Sequence, residues 1–290
     1  HVLNHSLFKS LLFYSAGSVY TAAHTRNIEK LGGLVHKMPW TTGLFLYGSV
    51  AICALPPLNG FISEFLIYGG LFTGLQAGPV FQSMSMLLSI VALAIIGGLA
   101  LFGFSRAIGM TFLGAQRSDI HLEEQAVTPQ MVAPKLLIAA VILLIGLFPM
   151  LFLKPLMGMI GAQFHLDPGT LIPPVFNILT KISQVGTILI VTIGALLFLR
   201  SKVITPAKQA FGPTWGCGYT AGNARQQYTA TSFAANFSEL ANPLMPKTTA
   251  YNEIHAEEVF PETRTFSMEQ GDGFRKALNK LTGYSMLALK

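Results

Sequence analysis

One long apolar stretch of this chain is interrupted in its middle by residues that cannot continue a helix. It covers about residues 40–75 and is long enough to cross a bilayer. Pro56, Pro57, Asn59 and Gly60 lie near its centre. Each proline lacks an N–H and clashes with the preceding turn, and backbone freed at membrane depth needs protein or a water-filled cavity around it. We therefore predict a broken transmembrane helix with these four residues as its hinge.

Glu64 follows the break directly, in a position that hydrocarbon alone would not accommodate. A broken helix that carries a single acid inside the membrane indicates an ion or proton site. The alternative is a capping acid that stabilises the free amides of the second half-helix. The two roles are compatible.

The composition is that of an integral membrane protein. Hydrophobic residues make up 51% of the 290 residues and charged residues 11%, against about a quarter in soluble domains. The net charge of +6 comes from basic residues beside apolar segments, which indicates membrane topology rather than nucleic-acid binding. The two cysteines form no CxxC pair, so no zinc or iron–sulfur ligand set is expected.

Five membrane spans are predicted, and the fold class is an all-α polytopic helix bundle with one broken helix. The spans are residues 2–20, the broken segment 40–75, 83–113, 136–153 (ended by Lys154 and Pro155) and 182–199. The membrane domain is thus residues 1–200, and residues 201–290 form an extramembrane tail. Within it, residues 256–290 are interpreted as containing an amphipathic surface helix with Phe274, Leu278 and Leu281 on its apolar face.

Basic residues predict the orientation of the spans. Threading five spans places the loops at residues 21–38 and 114–134 and the start of the tail on one side. That side carries Arg26, Lys30, Lys37, Arg117, Arg200, Lys202 and Lys208, whereas the other carries Lys154 and Lys181. Because cytoplasmic loops are enriched in Lys and Arg, the tail is predicted to be cytoplasmic.

His1, His5 and Lys9 are spaced four residues apart and so lie on one helical face. A file of such groups can pass protons by successive protonation and release. Two alternatives stay open. The histidines form structural hydrogen bonds and the lysine reaches the membrane interface, or the two histidines bind a metal ion, for which no third ligand is evident. Arg106 is a further polar position inside a span, and it fits a marker of the headgroup region equally well.

Several motifs together resemble the antiporter-like subunits of the respiratory complex I superfamily. They are HVLNHSLFKSLLF at residues 1–13, AGSV at 16–19, LGGL at 31–34, MPW at 38–40 and ALPPLNGFISEF at 54–65. The tail signatures FGPTWGCGY (211–219) and ARQQYTATSF (224–233) resemble the branch found in hydrogenase-4 and formate hydrogenlyase.

The resemblance implies two inverted half-channels, each centred on a broken helix, and an axis of Lys, His and Glu residues that couples redox chemistry to proton pumping. By position, His1, His5 and Lys9 match the axis, Glu64 the terminal titratable residue, and Arg106 a basic position on the next helix. The first half-channel is expected ahead of His1 and a last helix after the tail, so we expect a fragment or a split subunit.

The expected function is therefore that of a proton-translocating subunit of a membrane-bound hydrogenase or NADH-dehydrogenase-like complex in a bacterial or archaeal cell membrane. Its expected partners are other membrane and peripheral subunits and the lipid bilayer, with no nucleic acid and no cofactor on this chain. One alternative is a scaffold that anchors redox subunits through tail residues Trp215, Tyr219 and Tyr228. The others are a subunit of complex I or of a multi-subunit cation/proton antiporter.

Overall fold

A computed structural model describes most of the chain. The described residues are 1–120, 122, 127–165, 173–204, 218, 224, 226–240, 247–251, 257, 266–270, 278–280 and 282–283. They divide into two units, His1–Gln227 and Tyr228–Lys290. The first unit therefore continues beyond residue 200, where the composition changes.

The first unit is built from helices, as the all-α prediction requires. In chain order they are α1 (Val2–Ala23), α2 (Leu34–Lys37), α3 (Pro39–Ile52), α4 (Asn59–Ala77), α5 (Val80–Phe112), α6 (Pro129–Leu147), α7 (Met150–Phe164) and α8 (Pro173–Ile204). The predicted break separates α3 from α4, and Gly78 and Pro79 form the turn between α4 and α5.

The second unit contains two short helices, α9 (Ala230–Phe233) and α10 (Ala235–Leu240), and two antiparallel strands, β1 (Lys247–Tyr251) and β2 (Phe266–Gln270). Strand β2 lies within residues 256–290 but ahead of Phe274, so the predicted surface helix stays a prediction. In β2, Phe266 and Met268 alternate with polar residues, which is the period of a strand. Leu278 is helical. Phe274, Leu281, Trp215 and Tyr219 lie outside the described residues.

The fourth predicted span ends earlier than expected. Its helix α6 stops at Leu147, and α7 begins at Met150 and continues through Pro155. Phe148 has φ −127° and ψ 57°, outside the α region, because the ring of the following Pro149 disfavours helical backbone at the preceding residue. The break thus lies at Phe148 and Pro149 rather than at Lys154 and Pro155, and Pro155 is tolerated inside α7.

Three of the described helices are long and apolar enough to cross a membrane by length and composition alone. They are α5, α6 and the Asn177–Val203 part of α8. Helices α1 and α4 have comparable lengths of 22 and 19 residues but carry more polar residues. The chain is a multi-pass membrane protein, and the count of five spans stays a prediction.

Helix α1 packs one face against α3, α4 and α6. Two groups of buried side chains lie along that face. One lies at the level of the break and includes Phe8, Leu11, Ala51, Leu58 and Ile142. The other lies at the opposite end of α1, near the basic loops, and includes Val19, Leu34 and Phe112.

A clamp of polar contacts joins the two basic loops. The Arg117 guanidinium donates to the carbonyl oxygens of Leu31 and Met110, the latter at 2.6 Å. The Gln227 side-chain amide accepts from the Ala115 N–H at 3.0 Å and donates to the Ala115 carbonyl at 2.9 Å. Gln227 belongs to the tail signature, so that motif contributes to holding the loop that precedes α6.

Close backbone approach at the break requires glycine at two places. A Cβ on Gly60 would overlap the Ala51 carbonyl oxygen at the end of α3, and a Cβ on Gly146 would overlap the Pro57 carbonyl oxygen. The first turn of α4 therefore packs directly on α3, and α6 packs directly on the break.

We expect Gly60→Ala to destabilise the protein by about 1–3 kcal/mol, since the added methyl group forces the two half-helices apart. Gly69→Ala in the same helix is the matched control, because a Cβ there meets nothing within 4 Å. Thermal unfolding in detergent, followed by size-exclusion chromatography, measures both variants. Equal melting temperatures for the two would show that the close approach does not constrain the fold.

Candidate functional site

The break consists of the six residues between Ile52 and Asn59. Its backbone is partly satisfied by local bonds, from the Ala54 N–H to the Ala51 carbonyl and from the Leu55 N–H to the Val50 carbonyl, each 3.2 Å. Pro56 and Pro57 lie inside the break, as predicted. Asn59 and Gly60 instead form the first turn of α4.

Two buried asparagines connect α1 to the first turn of α4. The Asn4 amide donates to the Asn59 backbone carbonyl at 2.9 Å, and the Asn59 amide lies 3.2 Å from Asn4 Oδ1 and 3.4 Å from the Asn4 carbonyl. Asn59 is fully buried, and its Oδ1 has no hydrogen-bond partner among the described residues. Because a buried amide is costly to leave unpaired, this reciprocal pair fixes how α1 and α4 meet.

His1 and Ser63 form a second link between the same two helices. His1 Nδ1 lies 3.0 Å from Ser63 Oγ, and Ser63 Oγ donates to the Gly60 carbonyl at 3.0 Å. Ser63 is buried and immediately precedes Glu64. The structure therefore brings His1, the first of the three residues spaced along α1, into contact with the residue that precedes Glu64.

The three members of the file follow one another along α1. The rings of His1 and His5 are 5.9 Å apart between centroids, and the His5 ring stands edge-on to Phe8 at 5.3 Å. The Lys9 ammonium lies over the Phe13 ring, 5.7 Å from its centroid, one turn further along the helix. Across the described residues, no carboxylate pairs with His5 or Lys9 in any ion pair.

Glu64 is half-buried in the second turn of α4. The capping alternative is wrong, because α4 begins at Asn59 and Glu64 lies beyond its first turn, where the free amides are. No side chain in the described part of the chain forms a hydrogen bond or ion pair with its carboxylate. The order of polar groups along the site is Lys9, His5, His1, Ser63 and Glu64.

Arg106 does not join this group. Glu64 precedes the end of α4 at Ala77 by 13 residues, about 20 Å, whereas Arg106 follows the start of α5 at Val80 by 26 residues, about 39 Å. Since the two helices are connected by a tight turn, the two side chains differ in level by about 19 Å. Arg106 is half-buried, and its Nε has no hydrogen-bond partner within the described ranges.

The sequence analysis missed Lys135. This side chain is fully buried in α6 and donates to Ser18 Oγ of α1 at 2.8 Å. The apolar run in the sequence begins at residue 136, which places the lysine outside the predicted span. The signal that could have found it is Pro129, because proline is favoured at the first position of a helix and moves the start of α6 ahead of Lys135.

Comparisons with known proteins identify the family. Residues 1–93 match the family model described as NADH:quinone oxidoreductase/Mrp antiporter, transmembrane. Hydrogenase-4 component B of Escherichia coli is 36% identical over 232 residues, 77% of this chain and 34% of that protein. The chain belongs to the antiporter-like subunits of the complex I superfamily.

Two further relatives of this antiporter-like chain have related names. Formate hydrogenlyase subunit 3 of Escherichia coli is 34% identical over 223 residues, covering 76% of this chain and 35% of the relative. The Na(+)/H(+) antiporter subunit A1 of Staphylococcus saprophyticus is 31% identical over 214 residues, covering 70% of this chain and 26% of the relative. The chain thus spans about a third of the length of the curated relatives it matches.

The asparagine pair of this antiporter-like chain can be tested by a double-mutant cycle. We expect Asn4→Ala and Asn59→Ala each to destabilise the protein by about 1–3 kcal/mol. Asn4→Ala removes the donor to the Asn59 carbonyl and an acceptor of the Asn59 amide, and Asn59→Ala leaves Asn4 Oδ1 without its donor. The double variant should lose less free energy of unfolding than the two single variants lose together. The difference, measured by chemical denaturation, should be about 0.5–3 kcal/mol.

Ser85→Ala is the control for this cycle. Ser85 is an exposed residue of α5 that bonds only to its own helix, at the Phe81 carbonyl. It should be neutral within about 0.5 kcal/mol. Strict additivity of the two asparagine variants would show that Asn4 and Asn59 do not stabilise each other.

Proposed function

We propose that this chain carries one half-channel of a proton-translocating subunit in a membrane-bound hydrogenase or NADH-dehydrogenase-like complex. Protons pass along α1 from Lys9 through His5 and His1 to Glu64 at the broken helix. The relatives named for hydrogenase-4 and formate hydrogenlyase support the hydrogenase branch. Other membrane and peripheral subunits of such a complex are the proposed partners.

The observation that carries the proposal is the contact between His1 and Ser63. It joins the end of the α1 file to the residue before Glu64, with Nδ1 and Oγ 3.0 Å apart. Imidazole is suited to this position, because one ring nitrogen can accept a proton while the other donates one. The serine hydroxyl can likewise accept and donate, so the pair supports transfer toward the acid.

The orientation of the half-channel follows from the basic loops. Arg117 and Lys30 lie near the C-terminal end of α1, in the loops joined by the clamp. We place this side at the cytoplasm of a bacterial or archaeal inner membrane. Glu64 and the break then lie toward the outer side, so release occurs there.

We expect Glu64→Gln to reduce proton translocation to background while leaving complex assembly intact, because glutamine keeps the shape of the side chain but cannot take up a proton. The complex that contains this chain is reconstituted in vesicles, and quenching of an acridine dye is measured beside hydrogen turnover. The measured quantity is protons moved per hydrogen.

Glu239→Gln in the second unit is the matched control, an exposed glutamate with the same chemical change. It should translocate protons normally. Normal translocation by Glu64→Gln would contradict the relay and leave the scaffold alternative. Uptake of radioactive sodium into the vesicles that persists with a protonophore and collapses with a sodium ionophore would show that sodium is the transported ion.

A further inference from the structure

The opposite end of α1 contains a second buried polar cluster that the proposed relay does not use. Lys135 of α6 donates to Ser18 Oγ at 2.8 Å, and Ser18 donates in turn to the Tyr14 carbonyl at 3.1 Å. One turn nearer to Lys9, Ser15 is fully buried and its Oγ has no hydrogen-bond partner in the described part of the chain.

A lysine buried in this way is expensive. Placing an ammonium ion away from water is strongly unfavourable unless counter-charges and hydrogen bonds compensate it. Lys135 is completely buried, Ser18 is neutral, and no carboxylate among the described residues pairs with the lysine. Methionine or leucine would fill the same space between α1 and α6 without that cost, so packing does not account for a lysine here.

A cavity of about 280 Å³ opens on the basic-loop side, and its lining ends one helical turn away from this lysine. Its rim includes the exposed residues His36 and Trp40, and its inner wall includes Ala22 and Val132. Ala22 lies one turn beyond Ser18 on α1, and Val132 lies one turn before Lys135 on α6, so the next layer inward on both helices is the Lys135–Ser18 pair.

The Lys135 cluster and Lys9 lie at different levels along α1. Ser15 and Lys9 are six residues apart, about 9 Å along the axis, with the apolar side chains of Leu11 and Leu12 between them. The Lys9 ammonium lies over the exposed Phe13 ring, whereas Ser15 is on the buried face of the helix. A path from the cluster to Lys9 therefore crosses one apolar layer and passes from the buried face of α1 to the face that carries Lys9.

We propose that Lys135 is the proton-uptake residue of this half-channel, loading protons from the basic-loop cavity and passing them toward Lys9. In the transfer, an N–H bond of the Lys135 ammonium breaks and an O–H bond forms on water held by Ser15 and Ser18. The neutral amine then takes a proton from a hydronium ion that enters through the cavity, and the hydronium becomes water. Passage beyond Leu11 and Leu12 requires water to enter that layer during turnover. This inference rests on the proposed function.

The test uses the whole complex in vesicles, with protons moved per hydrogen as the readout. We expect Lys135→Met to lower proton transfer by about 10²-fold or more, the usual loss when a positioned proton-transfer group is removed. Lys154→Met is the matched control, an exposed lysine of α7 that should pump normally. Glu64→Gln is measured in parallel.

The pattern of results separates the two proposals. Loss in both Lys135→Met and Glu64→Gln, with Lys154→Met normal, supports the uptake role. Normal pumping by Lys135→Met beside loss in Glu64→Gln overturns the uptake role alone, and normal pumping by all three variants overturns the relay as well.

A labelling experiment tests the path if Lys135→Met does not assemble. Ser18→Cys should react during turnover with a membrane-impermeant thiol reagent added from the basic-loop side. Ser49→Cys is the control, because Ser49 is buried in α3 and bonds to the Phe45 carbonyl. Failure of Ser18→Cys to react faster than Ser49→Cys would overturn the uptake path.

Discussion

The hydrogen bonds between Asn4 of α1 and Asn59 of α4 are the contacts on which the rest of the membrane unit depends. A helix that breaks at membrane depth exposes backbone groups, and hydrocarbon offers them no partner. Here the break closes on itself through the turn at Ala54 and Leu55, and α1 bonds to the first turn of α4 beside it. Without such bonds each unsatisfied backbone group would cost several kcal/mol.

The same contacts explain why one face of α1 packs against three other helices. Its first turn must reach the break, its apolar centre must fill the space between α3 and α6, and its last turns must meet the basic loops. Phe8 and Leu11 provide the apolar centre, with polar clusters on either side of it. One helix thus connects both ends of the unit, which is the geometry that a path across a membrane needs.

The sequence predicted the break well because its signal is local. Two prolines remove backbone donors wherever they occur, so the positions of Pro56 and Pro57 decide where α3 ends. The clusters around Asn59 and Lys135 depend on residues 55 and 117 positions away along the chain, and no local pattern predicts those pairings. The role of Lys9, His5, His1 and Glu64 as a relay stays a prediction.

Proline positions also show where a prediction from neighbouring residues alone fails. Lys154 and Pro155 were expected to end a span, yet the helix breaks at Phe148 and Pro149 and continues through Pro155. In both dipeptides the proline disfavours helical backbone at the preceding residue, so the sequence alone does not show which of the two ends the helix. Packing selects the first break, because Gly146 brings α6 directly against the Pro57 carbonyl just before Phe148 and Pro149.

The class of this protein, its broken helix, its family and the position of the acid beside the break follow from composition and from residues close together in the chain. The contact between His1 and Ser63, the distance of Arg106 from Glu64 and the burial of Lys135 against Ser18 follow only from the packing of the helices. The reason is physical: burial and hydrogen bonding between helices depend on which faces pack together, and that is a property of the whole bundle.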